Sequence, residues 1–269
     1  MLLTLWDLGV MLKIEWRSGF GYGDFVTGLG YAHNASIKYD TEVIINFHWN
    51  HDLDYLESKD DPETIIERMY YVYGTMVPKT NVHVTHTPNS HPKYRFINNV
   101  DETNPLHGLW HTNLELTSGK SVVMWRSKFN TFFPGKAKDP IYNRWDSVVQ
   151  WLTDQGYNVQ EVTYRTPVKE VIEKIRTCEF GIGYDGMIHQ LFKYMWKPLI
   201  VICERHQLNK LLIPQALLIK DEQSLYANGI ESCVNQSNQK IAFYKNKLDK
   251  WVHLKEDIKR HTLYNVEIY

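Results

Sequence analysis

Short apolar runs rich in β-branched residues alternate with segments whose apolar residues recur at helical spacing. This alternation restricts the chain to an open α/β architecture. Leu12–Trp16 reads as a first strand, followed by a glycine-rich stretch from Gly19 through Gly21 and Gly23 to Asp24. Phe25, Leu29 and Ala32 then recur at helical spacing, so a helix is expected just after Asp24, with the glycines in a loop. Glu42–Trp49 reads as a buried strand, Asp61-Pro62 as a helix start continued by Ile65, Met69 and Val72, and Val82–Val84 as a third strand.

Residues 87–118 break the pattern with Pro88, Pro92 and Pro105, and a domain boundary is expected near 118. A second series then begins. Ser121–Trp125 is a strand, and Trp145, Val148, Val149 and Leu152 mark an amphipathic helix closed by Gly156. Asn158–Thr163 is a strand, and Thr166-Pro167 opens a helix that turns Val168, Val171, Ile172 and Ile175 inward. Glu179–Gly183, Pro198–Cys203 and Ala216–Ile219 complete the strands. The tail from Gln236 is charged and helical. The expected domains are 1–118, with 1–10 as an extension, and 119–269. A ligand is expected at the carboxyl ends of the strands.

Composition removes several classes. In 269 residues, 30 Lys and Arg balance 31 Asp and Glu, which lacks the electrostatic signature of a nucleic-acid binder. Three cysteines without close spacing fit a reducing compartment, so a cytoplasmic location is expected. No apolar run approaches a membrane span, and the apolar start carries Asp7 without a basic leader region, a poor signal peptide. Nine Trp and 17 Tyr admit two readings, a large aromatic core or a surface that stacks rings or sugar faces.

Two stretches carry candidate chemistry. The glycines at 19–23 let backbone approach a ligand, but the G-x-G-x-G spacing differs from a dinucleotide fingerprint, which argues against NAD or FAD. Asp24 reads as a helix N-cap, as a general base, or as both. In the second stretch, 178–202, a short strand ends in Gly183-Tyr-Asp185-Gly186, and a helix with His189 follows before Lys197-Pro198. The turn sets Asp185, Gly186 and His189 at a helix N-terminus, where unpaired N–H groups suit a phosphate. His189 also reads as a satisfied core residue.

The second stretch resembles the C-terminal signature of the glycosyltransferases related to heptosyltransferases (glycosyltransferase family 9), in which an Asp and a His open an apolar helix that ends before Lys-Pro. Asp185 and Lys197-Pro198 match, Leu191 and Met195 fall on the helix's inner face, and His189 lies four residues after Asp185 where the family has five. Gly21-Tyr-Gly23-Asp24 resembles the family's first loop and helix, and Asn143-Arg144-Trp145, with Arg126 and Lys128 after the preceding strand, resembles its middle motif. The resemblance implies the GT-B fold: two Rossmann-like α/β domains facing across a cleft, with the C-terminal helix packing back. It also implies inverting, metal-independent transfer of a sugar from a nucleotide-sugar donor to an acceptor hydroxyl, without a cofactor. Asp24 is then the base. Arg126, Lys128, Arg144, Asp185, Gly186 and His189 hold the donor and its phosphates, and Gly21 and Gly23 shape the first loop.

Other readings stand beside it. The fold also suits a non-catalytic nucleotide or sugar-nucleotide binding module. The acceptor is a glycan or a nucleic-acid base, the latter permitted by the loop Phe133-Pro-Gly-Lys136-Ala-Lys138 but not supported by net charge. Asp52-Leu-Asp54 after a strand resembles a carboxylate pair holding a divalent ion on a diphosphate, although acidic pairs are common in loops. His48, His51, His83 and His86 do not share a face as ligands should, so no metal site is expected.

Overall fold

The computed structural model describes residues 11–17, 22–49, 71–72, 74–75, 81–88, 119–126, 144–163, 166–183, 187–202, 216–253 and 266–268. The chain is mixed α/β, with a Rossmann-like arrangement of parallel strands in each of two sheets. It divides into two compact units: Met1–Asp54, Asp60–His111 and Lys247–Tyr269 in the first, Tyr55–Lys59 and Thr112–Asn246 in the second.

In the first unit, β1 (Leu12–Arg17), β2 (Val43–Trp49) and β3 (Val82–Pro88) are parallel, and β9 (Val266–Ile268) runs antiparallel along β1. The order is β3-β2-β1-β9. Alternation decides the inner face: Leu12, Ile14, Val43, Ile45, Phe47 and Val82 are buried. Helix α1 (Tyr22–Tyr39) turns Phe25, Val26, Leu29, Ala32 and Ala35 inward, and the Phe25 and Phe47 rings meet at 4.4 Å. On β2, the half-exposed Asn46 bonds the Thr85 and Thr87 hydroxyls at 3.1 Å each.

The helix start differs from the expectation. Helix α1 begins at Tyr22, so Gly23 lies in its first turn instead of a loop, and Asp24 is a first-turn residue instead of the residue just before the helix. The physical reason is the macrodipole: an acidic residue is favoured throughout the first turn, so Asp24 does not mark the boundary. The expected helix between β2 and β3 survives as helical Tyr71 and Val72, with Val72 buried, while its proposed start at Asp61-Pro62 lies outside the described residues. The third strand is longer than Val82–Val84, because Thr85 and Thr87 extend the ladder through Asn46.

The second unit holds five parallel strands, ordered β5-β4-β6-β7-β8. They are β4 (Ser121–Trp125), β5 (Asn158–Val162), β6 (Phe180–Gly183), β7 (Leu199–Ile202) and β8 (Leu217–Ile219). The central strands β4, β6 and β7 are buried at every residue, whereas the edge strands β5 and β8 are partly exposed. Continuous apolar runs in the middle and mixed ones at the edges are what a sheet covered on both faces requires.

Helix α2 (Trp145–Asp154) buries Trp145, Val148 and Leu152, and α3 (Val168–Thr177) buries Val168, Val171, Ile172 and Ile175. Gly156, at φ 82°, donates its N–H to Thr153 as the chain leaves α2. Helix α4 (Met187–Tyr194) is buried on all sides from Ile188 onward. It ends in a Schellman turn, with Lys197 N–H bonded to the Phe192 carbonyl and Trp196 N–H to that of Lys193, which holds Trp196 at φ 53°.

Helix α5 (Glu222–Asn228) and the part of α6 (Ile230–His253) up to Asn246 complete the described helices of this unit. Helix α6 begins well before the expected Gln236, and its Ser237 hydroxyl accepts the Leu199 N–H of β7 at 2.9 Å. Lys240 Nζ bonds the Ala216 carbonyl at the entrance to β8 at 2.8 Å, so this C-terminal helix packs back on the second sheet. Among the described residues no helix is long and apolar enough to cross a membrane.

Candidate functional site

The second sheet has one reversal of strand order. From β4 the chain steps outward to β5, then crosses to the other side of β4 to lay down β6. At such a switch point the connections leaving adjacent strands diverge to opposite faces, and a crevice opens at the carboxyl ends. Here those ends are Trp125 of β4 and Gly183 of β6, which are paired in register.

Glycine is required at this edge. A Cβ on Gly183 would lie 2.5 Å from Trp125 Cε2 and also against the Trp125 carbonyl, and one on Gly181 would lie 2.6 Å from Phe192 Cε1. The Trp125 indole therefore lies down on β6. It also meets the Phe192 ring at 5.7 Å and the His189 ring at 5.8 Å. Trp125 is 4% exposed and His189 fully buried, so His189 stands inside an aromatic cluster. It occupies the third position of α4, as the sequence places it near a helix start.

Arg126 follows Trp125 directly. Its Nε and Nη2 bond the two Glu161 oxygens at 3.0 and 2.6 Å, and its Nη1 bonds Asp146 Oδ1 at 2.9 Å. Glu161 belongs to β5 and Asp146 to the first turn of α2. The Glu161 hydrogen bond, opposed by partial burial and aided by Asp146, holds the guanidinium pKa above its ordinary value. Arg144, the residue that caps α2 without a side-chain bond to its N–H groups, is paired with Glu222 in the first turn of α5. Glu222 is 3% exposed, and its Oε2 has no hydrogen-bond partner among the described residues. The Trp151 and Tyr226 rings, 5.0 Å apart, link these same two helices. Asp221 caps α5 by accepting the Ser224 N–H at 2.9 Å, and the Ser224 hydrogen bonds hold its carboxyl below the usual range.

Of the expected donor-side residues, Arg126, Arg144 and His189 thus belong to elements that start or end at one edge of the second sheet, and both arginines there are met by carboxylates. Lys128, Asp185 and Gly186 lie outside the described residues, as do Gly21, Asp52, Asp54 and the loop 133–138. Gly23 and Asp24 belong to the first unit. Lys197 is 5% exposed and donates from Nζ to the Cys178 carbonyl at 2.5 Å, tying the end of α3 to the turn after α4. Burial holds its pKa down.

Two buried charged residues escaped the sequence reading. Lys193, one turn beyond His189 on α4, is fully buried, and desolvation lowers its pKa to about 7. Glu222 is the other. The signal for Lys193 was present: a lysine inside FKYMW, a run otherwise apolar or aromatic, at i+4 from a buried histidine. Glu222 had none, because Asp221-Glu222 reads as an ordinary acidic helix start.

In the first unit, His83 and His86 are three residues apart on β3 and so point to opposite faces, and His83 Nε2 lies 3.8 Å from Glu42. Among the described residues no group of three or more His, Cys, Asp or Glu side chains is gathered to hold a metal ion. Comparison with protein-family models, with curated proteins and with solved structures returns no match.

Proposed function

We propose that this protein is a GT-B-type glycosyltransferase that moves a sugar from a nucleotide-sugar donor to an acceptor hydroxyl, with inversion and without a metal. The observation that carries the reading is the switch point between β4 and β6, where Arg126 and the chain leading to His189 leave adjacent parallel strands. A diphosphate bound there is met by Arg126, by Lys128 and by the N-terminus of α4 at Gly186. These stabilise the negative charge that grows on the leaving group. Arg144 and Asp185 bind the remainder of the donor. In the first unit, Asp24 accepts the proton of the acceptor hydroxyl as that oxygen attacks the anomeric carbon, and Gly21 and Gly23 let the acceptor approach the backbone. The acceptor is a glycan, with a nucleic-acid base as the alternative.

A second reading has its own support. Arg126 and Arg144 already spend charge on Glu161, Asp146 and Glu222, which suits a module that binds a nucleotide or nucleotide sugar without turning it over. The experiment is a thermal-shift screen of nucleoside diphosphates and nucleotide sugars, each with EDTA and with manganese, on the natural protein and on Asp24→Asn. A ligand at about 100 times its Kd adds about 2.7 kcal/mol to stability. Stabilisation by one nucleotide in EDTA, retained in Asp24→Asn while sugar transfer is lost, is the expected result. Unchanged output in Asp24→Asn favours the binding module. Stabilisation only with manganese points to Asp52 and Asp54, and no stabilisation by any nucleotide removes the donor site.

A further inference from the structure

We propose that Glu161 and Asp146 form a latch on Arg126 that yields to a diphosphate group and excludes single phosphates. The inference rests on the donor-site reading and assigns a specificity to that edge of the sheet.

The latch is divided. Glu161 takes the Nε–Nη2 edge of the guanidinium with both carboxylate oxygens, and Asp146 takes Nη1 from a different direction. The two acids come from β5 and α2, so they approach independently. A single phosphate can replace the fork on one edge, but it leaves the second acid bound and repels it. Two linked phosphoryl groups can take both edges together and bring enough charge to displace both carboxylates.

The released acids are not stranded. The Asp146 side chain is 87% exposed and that of Glu161 40%, so water solvates both as they let go. Arg126, at 24%, is the most enclosed member, and its backbone directly follows the buried Trp125 at the end of β4. The cation is thus held oriented at the strand end before the ligand arrives, and the strength of the acids sets the threshold for binding.

The test is calorimetric titration with inorganic pyrophosphate and with inorganic phosphate. The proteins are the natural chain, Asp146→Asn, Asp146→Asn/Glu161→Gln, and that double variant with Arg126→Gln added. The exposed Asp146→Asn variant serves if the double variant does not fold. Pyrophosphate is expected to bind the natural chain, and the double variant to bind it about tenfold tighter and to gain binding of single phosphate. Arg126→Gln should remove both gains. Equal or weaker pyrophosphate binding by the double variant overturns the latch and leaves the donor site standing. A gain that survives Arg126→Gln is a general effect of removed negative charge and also overturns it. Failure of every form to bind pyrophosphate overturns the donor-site reading, and the latch with it.

Discussion

Lys193 is the residue whose environment most contradicts its chemistry. Its ammonium lies 4.8 Å from the Tyr194 ring centroid inside a helix buried on every side, and desolvation lowers its pKa from 10.5 to about 7. The sign follows from proton counting. Between about pH 7 and 10.5 the unfolded chain holds a proton on Lys193 that the native chain lacks, so this residue makes stability rise with pH there. Below about pH 7 both states are protonated and the native state carries the whole cost of the buried charge. Lys193→Met keeps the unbranched shape and removes the charge. The variant should therefore be more stable than the natural chain at pH 6.5, and the difference should shrink by about 1–2 kcal/mol by pH 8.5. Urea unfolding at those two pH values measures it, and a difference independent of pH would mean that Lys193 keeps its proton in the native state at both values. Cys178, whose thiol burial pushes up to about 12 from 9.0, acts above both measured pH values and in the opposite direction, because there the unfolded thiol loses its proton first.

Elements join through close approaches as much as through apolar faces, and the pairing of β4 with β6 depends on missing side chains. A methyl group at position 183 would collide with both the indole and the carbonyl of Trp125, and the carbonyl cannot swing aside without breaking the β4 ladder. Gly183→Ala should cost about 1–3 kcal/mol, the ordinary range for overpacking a core, and should change the near-ultraviolet circular dichroism as Trp125 moves. An unchanged urea midpoint and spectrum would show that the sheet edge can give. The elements themselves were largely legible. The burial of Val168, Val171, Ile172 and Ile175 follows directly from their i, i+3, i+4, i+7 spacing, and the all-apolar Leu199–Ile202 could only be an inner strand. The strand order was not legible, because Ser121–Trp125 and Phe180–Gly183 read as apolar runs whatever their neighbours. The carboxylates on Arg126 were hidden for a related reason: Asp146 and Glu161 are 20 and 35 residues away and approach only once β4, β5 and α2 are assembled. Helix α5 is too short for its period to show.

At the scale of the molecule, the end of the chain returns to its beginning. Three residues of β9 pair antiparallel with β1, Leu12 with Ile268, Lys13 with Glu267 and Ile14 with Val266, and they close the exposed side of a sheet whose other strands are all parallel. A charged tail with helical spacing does not announce such a strand, because Val-Glu-Ile is too short to carry a period of two and its partner lies some 250 residues away. Without β9, the backbone N–H and C=O groups along one side of β1 would face water, and β1 would become an edge. Each lost backbone bond weakens the sheet by about 1 kcal/mol. Removal of residues 262–269 should therefore speed amide hydrogen exchange in peptides from β1 and β2. Exchange in peptides from β4, β6 and β7 should stay unchanged, because no strand of the second sheet pairs with β9. Mass spectrometry of the exchanged chain reads both sheets in one experiment. Faster exchange in both would mean that the tail supports the whole chain, and no change in either would mean that β9 adds nothing to the stability of β1.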